Sequence, residues 1–204
     1  MVTQAWTAER FAEEKFDLPD AGRWHELEAG ELVQLEPPDT LHGTAVLNFS
    51  RELGRYLQEY REGYACYELG LIVQRRPDTV RVPAISYFAS GPAFAETDAI
   101  VTETRPALVV EVPSTPLRRR GLTDRIQTYL QWGVPYVLVL DPQTRGVQFH
   151  SHTRQVLRLS ESDVFATEPD WLIPGLDRPL LPGFAIAVAS IYAEPEWWNP
   201  GRRR

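Results

Sequence analysis

Cysteine, lysine and long apolar runs are scarce in this chain of 204 residues. The one cysteine, Cys66, precludes a disulfide within the chain and fits a reducing compartment. The longest apolar runs, such as residues 135–140, are far shorter than the roughly 20 residues that span a bilayer. The acidic N-terminal region also lacks the order of a signal peptide. These absences predict a cytoplasmic protein with no membrane segment.

Positive charge is in deficit as well, because the formal net charge is −7. Strong non-specific binding to DNA depends on lysine and arginine side chains that neutralise phosphates. A net charge of −7 is therefore compatible only with a local basic patch. The hydrophobic fraction of 43% and the charged fraction of 24% fit one globular domain with a core. We predict a single domain over residues 1–192 and a C-terminal tail over residues 193–204.

Two predicted strands, residues 80–88 and 107–112, are the most informative part of the chain. The second strand carries one acid, Glu111, among apolar neighbours. An ionised carboxylate in such a strand costs several kcal/mol to bury unless it is paired or binds a metal. In the helix that follows, apolar residues recur at helical spacing on one face, and Arg125 lies beside that face. Glu111 therefore belongs either to a structural ion pair or to a functional site.

The order of these segments resembles the bacterial putative restriction endonuclease family of the PD-(D/E)XK nuclease superfamily. The resemblance covers roughly residues 5–192 and is carried by Arg23-Trp-His-Glu-Leu-Glu-Ala-Gly-Glu-Leu32, Leu41-His-Gly43, Asp78-Thr-Val-Arg-Val-Pro83, Ala107-Leu-Val-Val-Glu-Val112, the helix with Arg125, Gly133-Val-Pro-Tyr-Val-Leu-Val-Leu-Asp-Pro142 and Leu181-Pro-Gly-Phe184. It implies an α/β, restriction-endonuclease-like fold, with a central mixed β-sheet flanked by helices and added β-hairpins. It further implies a Mg²⁺-dependent DNA endonuclease, in which carboxylates hold the ions that polarise the scissile phosphate and activate water.

Two positions depart from the pattern of that family. The residue after the strand proline is a metal-binding aspartate in the family and Ala84 here, and the helix lysine of the family is Arg125. Alanine offers no oxygen, and an arginine, with a pKa above about 12, cannot give up a proton near neutral pH. Asp78 does not fill the gap, because a proline followed by aspartate between two apolar runs favours a turn. The only lysine, Lys15, lies outside the motif region.

An N-terminal acid completes the site that the resemblance implies. Glu26 and Glu31 both lie in the matching segment, and we prefer Glu26, although acids that face solvent on a hairpin are an equally good interpretation. The candidate catalytic set is then Glu111, Arg125, Glu26 and the vacated position Ala84. Glu111 and Glu26 are the candidate metal ligands, and Mg²⁺ binding should be weak or absent.

A basic patch could lie at one end of the sheet. Arg118, Arg119 and Arg120 directly follow the Glu111 strand, and Arg81 precedes it. They are candidate nucleic-acid contacts, although a solvated helix start is the plainer interpretation. His42 could approach a phosphate from a helix N-terminus, or form only a local hydrogen bond.

Two classes of function remain open. One is a DNA endonuclease that is impaired because Ala84 and Arg125 replace a metal ligand and a titratable amine. The other is a non-catalytic module that binds nucleic acid or protein, as a homodimer or paired with an active homologue. Both predict that Ala84, Glu111 and Arg125 converge and that Glu111 and Arg125 form an ion pair.

Local signals supply the remaining expectations. Thr7 should cap a short helix that extends to about Phe16, and residues 24–28 and 31–35 should form a hairpin. Thr40 should cap a long helix that ends at Gly63.

Overall fold

The computed structural model describes residues 5–92 and 95–194. The α-helices are α1 (Ala8–Glu14), α2 (Thr40–Tyr60), α3 (Pro116–Arg120), α4 (Leu122–Trp132) and α5 (Val188–Ile191), and short 3-10 helices lie at Lys15–Asp17 and Pro19–Gly22. The strands are β1 (His25–Glu28), β2 (Glu31–Gln34), β3 (Tyr64–Tyr67), β4 (Gly70–Gln74), β5 (Thr79–Arg81), β6 (Ile85–Phe88), β7 (Val101–Thr102), β8 (Leu108–Glu111), β9 (Tyr136–Asp141), β10 (Gly146–Ser151), β11 (Leu157–Leu159), β12 (Val164–Ala166), β13 (Leu172–Ile173), β14 (Arg178–Pro179) and β15 (Ala185–Ala187). Most of the predicted tail, residues 195–204, lies outside the described residues.

Two larger sheets organise the described part of the chain. A six-stranded sheet has the order β11-β10-β9-β8-β6-β3, and a five-stranded sheet has the order β2-β1-β5-β4-β7. Strands β8 and β9 are parallel, whereas β6 and β8 are antiparallel, so the larger sheet is mixed. The predicted mixed α/β architecture is confirmed.

Side-chain alternation along β8 determines where Glu111 points. Leu108 and Val110 pack in the apolar cluster that includes α2, whereas Val109 packs in the cluster that includes α4. Successive side chains of a strand face opposite sides of a sheet, so Glu111 shares the α4 side with Val109. The carboxylate is thus directed toward the helix that carries Arg125.

The chain passes from one sheet to the other between β5 and β6. The sequence predicted one strand over residues 80–88, but the ladder is interrupted at Val82, Pro83 and Ala84. Proline cannot donate a backbone hydrogen bond to a ladder, which explains the interruption at Pro83. Ala84 is therefore placed next to the first residue of β6.

Helix α2 covers the opposite face of the six-stranded sheet. Its buried residues Ala45, Phe49, Leu53 and Tyr56 recur at helical spacing. The predicted N-cap, Thr40, is wrong by one residue, and the predicted end at Gly63 is wrong by two. The N-cap is Asp39, whose side chain accepts a hydrogen bond from the backbone of His42, and the C-cap is Arg61 in the left-handed conformation.

The N-terminal helix is attached to the five-stranded sheet. Thr7 caps α1 as predicted, and Phe11 packs against Leu27 and Val80. Asp78 accepts hydrogen bonds from the backbone amides of Ala8 (2.8 Å) and Arg76 (3.1 Å). Asp78 thus organises a turn and the start of α1, as the turn interpretation predicted.

No helix in the described ranges is long and apolar enough to cross a membrane.

Candidate functional site

Arg125 joins the two acids of the candidate site. Its guanidinium donates to Glu26 at 2.6 Å and 2.9 Å, and to Glu111 at 3.0 Å from Nε and 2.7 Å from Nη2. The predicted ion pair between Glu111 and Arg125 is present, and Glu26 is the acid that completes it. Glu31 lies on the exposed edge of the hairpin, and the role of Glu26 as a site residue stays a prediction.

Glu26 has further partners that fix its orientation. Its Oε1 accepts a hydrogen bond from the backbone amide of Val82 at 2.6 Å, and its Oε2 lies 3.3 Å from the guanidinium of Arg81. The interrupted strand at Pro83 is what leaves this amide free for a side chain. Two carboxylates and two guanidiniums therefore form one buried network in which the charges balance.

Tyr129 was predicted only as part of the apolar helix face, but it belongs to this network. Its hydroxyl donates to Glu111 at 2.6 Å, and the side chain is fully buried. Tyr129 follows Arg125 by four residues, so the two side chains share one side of α4. The four-residue spacing was the sequence signal that could have placed Tyr129 beside Arg125. Burial raises the pKa of Tyr129 well above its ordinary value, so the phenol remains a donor at neutral pH.

Glu26 stays ionised because of its arginine partners. Burial alone would raise the pKa of Glu26, but the charge and hydrogen bonds of Arg125 outweigh it, and this pKa lies below its ordinary value. Burial lowers the pKa of Arg125, and the charges of Glu111 and Glu26 reverse that effect and raise it far above the usual range. Glu26 and Arg125 are therefore both charged at neutral pH.

The vacated position lies beside this network. Ile85 pairs with Val110 across the antiparallel strands, and extension of that register by one residue brings Ala84 opposite Glu111. The side chain of Ala84 is buried and packs in the apolar cluster that includes α2. Position 84 therefore lies on the strand next to Glu111, but the Ala84 side chain packs on the α2 side, on the opposite face from Glu111 and Arg125, so the predicted convergence holds for the backbone position alone.

These residues do not fit the Mg²⁺ ion that the fold family implies. Mg²⁺ requires several oxygen ligands in octahedral geometry, whereas Ala84 supplies none and Arg125 occupies the oxygens of both acids. No group of three or more His, Cys, Asp or Glu side chains in residues 5–92 and 95–194 could hold a metal ion. The arrangement neutralises the carboxylates with an internal cation.

Sequence and structure comparisons relate this chain to known proteins. Residues 12–189 match the model of the Uma2 family, described as putative restriction endonuclease. The chain belongs to the Uma2 family. A crystal structure of a putative nuclease of DUF820 from Anabaena variabilis ATCC 29413 matches with a TM-score of 0.66 at 17% identity, over 89% of this chain and 96% of that one. No curated protein matches. The Uma2 chain therefore has a restriction-endonuclease-like fold.

The four arginines of the predicted basic patch in this Uma2 protein differ in their contacts. Arg81 pairs with Glu26 and Glu28, and Arg119 forms a two-pronged ion pair with Asp141 at the end of β9. The charges of Arg81 and Arg119 are therefore neutralised by ion pairs within the fold. Of the four arginines in the patch, Arg118 and Arg120 are the two that form no ion pair with a residue in the described ranges, so their charges are not neutralised.

Arg118 is held at the mouth of a cavity beside Glu111. Its Nε donates to the carbonyl oxygen of Glu36 at 3.1 Å, and its guanidinium lies 5.9 Å from the ring centre of Trp24. The cavity measures about 290 Å³ and is also lined by Glu111 and Arg125. Burial lowers the pKa of Arg118, although its guanidinium remains charged.

His42 makes the local contact that was the alternative interpretation. Its Nδ1 lies 3.1 Å from the carbonyl oxygen of Val112, and because a carbonyl only accepts, this nitrogen carries the proton. Burial lowers the pKa of His42, so the ring is neutral near pH 7. His42 buttresses the end of β8, and its role as a nucleic-acid contact stays a prediction.

The buried network predicts a dependence of stability on acidic pH. Because the folded-state pKa of Glu26 is depressed, its contribution is complete above the unfolded value of about 4.3 and is lost as the pH falls through the lower folded value. We expect the melting temperature to fall below about pH 4. Thermal denaturation from pH 3 to pH 7 should show a shallower decline for Glu26→Gln, whereas Glu14→Gln, in an exposed pair with Arg10, should retain the wild-type profile. Equal slopes for wild type and Glu26→Gln would contradict this assignment.

Proposed function

We propose that this Uma2-family chain is a catalytically impaired relative of a DNA endonuclease that binds nucleic acid and has lost effective metal-dependent cleavage. The observation that carries the proposal is the pair of bonds from Arg125 to Glu26 and Glu111. In a metal-dependent nuclease these oxygens would bind the ion. Here a divalent ion would have to displace a buried guanidinium and would still lack the oxygen that Ala84 cannot supply.

The cost of that displacement supports the proposal. Freeing the carboxylates would leave Arg125 buried without its partners, and breaking a buried charge pair costs about 3–5 kcal/mol. A weak two-carboxylate site cannot easily offset such a loss. Arginine at this position also cannot exchange a proton with the reacting groups near neutral pH. Mg²⁺ or Mn²⁺ binding should therefore be weak or absent.

Nucleic-acid binding is the function that the remaining charges support. Arg118 presents an unneutralised, partly desolvated guanidinium beside the Glu111 cavity, and a planar guanidinium is well suited to phosphate. The overall charge of −7 restricts such binding to this local region. We therefore assign Arg118 as the principal phosphate contact and Arg120 as a peripheral one.

A metal titration tests the impaired-catalysis part of the proposal. Calorimetry of the wild-type protein should show no binding of Mg²⁺ or Mn²⁺ tighter than the millimolar range. Supercoiled plasmid incubated with either ion at ordinary enzyme concentrations should remain uncut. Metal-dependent nicking by purified wild type that disappears in Glu111→Gln would overturn the proposal, since it would show a working site at these residues.

The assignment of Arg118 has its own test. We expect Arg118→Ala to weaken binding of a labelled DNA duplex and to lower the slope of log affinity against log salt by about 0.9, the value for one phosphate contact. Arg120→Ala serves as the matched control and should have a smaller effect. Fluorescence anisotropy over a range of salt concentrations measures both quantities. An unchanged salt slope in Arg118→Ala would exclude Arg118 as the contact.

A further inference from the structure

A second cavity, of about 450 Å³, lies next to the candidate site and shares no lining residue with the cavity at Glu111. Its walls come from the two 3-10 helices, from β3 with the turn that follows it, and from residues 96–100. The side chains that matter for its chemistry are those of Lys15, Phe16, Arg23, Tyr67, Glu68 and Glu96. Its volume lies in the range of ligand sites in proteins.

Lys15 is a buried, charged side chain of this cavity that takes no part in the candidate site. It is the only lysine of the chain, and it is 8% exposed. Its ammonium lies 5.8 Å from the ring centre of Phe11 and forms no hydrogen bond or ion pair with a residue in the described ranges. Partial removal of an ammonium from water is costly, and burial lowers the pKa of Lys15 despite the nearby charges of Glu68 and Glu26. An anionic group in the cavity would relieve that cost.

Two aromatic side chains are exposed on the lining of the same cavity. Phe16 is 66% exposed and Tyr67 is 50% exposed, so both rings are accessible to a ligand in the cavity. Aromatic side chains that accompany positive charge are the common means by which proteins hold unpaired bases, since every base has a face that can stack. Arg23, which is exposed and unpaired in the described part of the chain, adds a second cation.

The acids of the cavity are compatible with such a ligand. Glu96 is buried and accepts a short hydrogen bond from the hydroxyl of Tyr64, so it is already engaged. Glu68 is exposed and can accept a hydrogen bond from the amino group of a base. The backbone amide of Glu68 donates to the carbonyl of Ala84 at 3.4 Å, so this wall of the cavity borders the candidate site.

We propose that this cavity binds one unpaired nucleotide of a nucleic-acid strand, with the phosphate at Lys15 and Arg23 and the base against Phe16 and Tyr67. The inference rests on the proposed nucleic-acid binding and adds to it a substrate class, a strand with a single-stranded segment or end. In a continuous duplex every base is paired, so the cavity would then stay unused. The protein therefore prefers single-stranded over fully paired nucleic acid.

Anisotropy with a labelled strand of roughly 12 nucleotides, and with the blunt duplex of the same sequence, tests this preference. We expect wild type to bind the single strand at least about fivefold more tightly, and Phe16→Ala to lose at least about fivefold for the single strand alone. Lys15→Met, which places an apolar side chain of similar length in a buried position, should weaken the same binding and lower its salt slope by about 0.7. Tyr60→Ala, an exposed tyrosine outside the cavity, is the control and should change neither affinity.

Failure of this inference can be separated from failure of the proposed function. Equal binding of single strand and duplex, or unchanged single-strand binding in Phe16→Ala, would overturn the cavity assignment and leave duplex binding through Arg118 intact. If wild type binds neither form, the proposed function fails, and calorimetry with a deoxynucleoside monophosphate then decides the cavity. Binding that is lost in Phe16→Ala would support a nucleotide site, and no binding would overturn it.

Discussion

Replacement of Arg125 by methionine is expected to lower the free energy of unfolding by about 3–5 kcal/mol at pH 7. The substitution leaves the carboxylates of Glu26 and Glu111 buried, and the hydrogen-bond partners that remain to them in the described residues are Arg81, Val82 and Tyr129. Methionine has a similar length and helix propensity, so the loss reports the missing charge rather than a cavity or a weakened helix. Urea denaturation monitored by circular dichroism measures it.

The matched control is Arg55→Met, which removes an exposed partner of Glu52 on another helix. Exposed pairs contribute about 0–1 kcal/mol, so this variant should be nearly neutral.

The stability of the Arg125→Met variant should also respond to acid in the opposite direction from that of the wild type. Without the guanidinium, burial raises the pKa of Glu26, and protonation of Glu26 on going from pH 7 to pH 5 should restore part of the lost stability. A loss below about 1 kcal/mol at pH 7 would show that the network is not energetically coupled.

The double substitution Ala84→Asp with Arg125→Lys should produce the largest functional change. Aspartate adds a carboxylate at the position that the strand register places next to Glu111, and lysine is a compact cation that does not bind both acids at once. We expect calorimetry to detect Mg²⁺ or Mn²⁺ with a dissociation constant on the order of 1 mM or below, in the range of weak oxygen-ligand sites. Plasmid nicking should appear only after metal binding is restored.

Ala84→Asn with Arg125→Lys is the control for this experiment, because it keeps the size of the new side chain without its charge. Binding of the divalent ion by this control as tightly as by the aspartate variant would attribute the gain to the loss of Arg125 alone. If the aspartate variant folds and gains no affinity, Ala84 is not the vacated ligand position.

Much of the network could be predicted from the sequence, for physical reasons that differ between residues. Glu111 was identifiable because a lone acid in an apolar strand requires a partner, and Arg125 because its place on the following helix lets it reach back to that strand. Glu26 depended on the resemblance, since alternation on a hairpin does not say which face is buried. The register that sets Ala84 opposite Glu111 was implied by strand order alone.

Other features depend on contacts between distant segments and left no local signal. Arg119 looked like part of a basic patch, and only the fold brings Asp141 within reach of it. Lys15 was placed outside the motif region, although folding buries it next to the second cavity. The N-cap of α2 was assigned to Thr40 rather than Asp39 because both residues are favourable caps and the sequence does not choose between neighbours.

The bond between Arg125 and Glu26 spans 99 positions of the chain, and this separation bears on folding kinetics. Contacts that close such long loops carry a large entropic cost and tend to form after local helices and hairpins. The charge network would then be absent from the transition state, and its energy would act on the rate of unfolding rather than on the rate of folding. Arg125 would then determine how long the native protein persists before it unfolds.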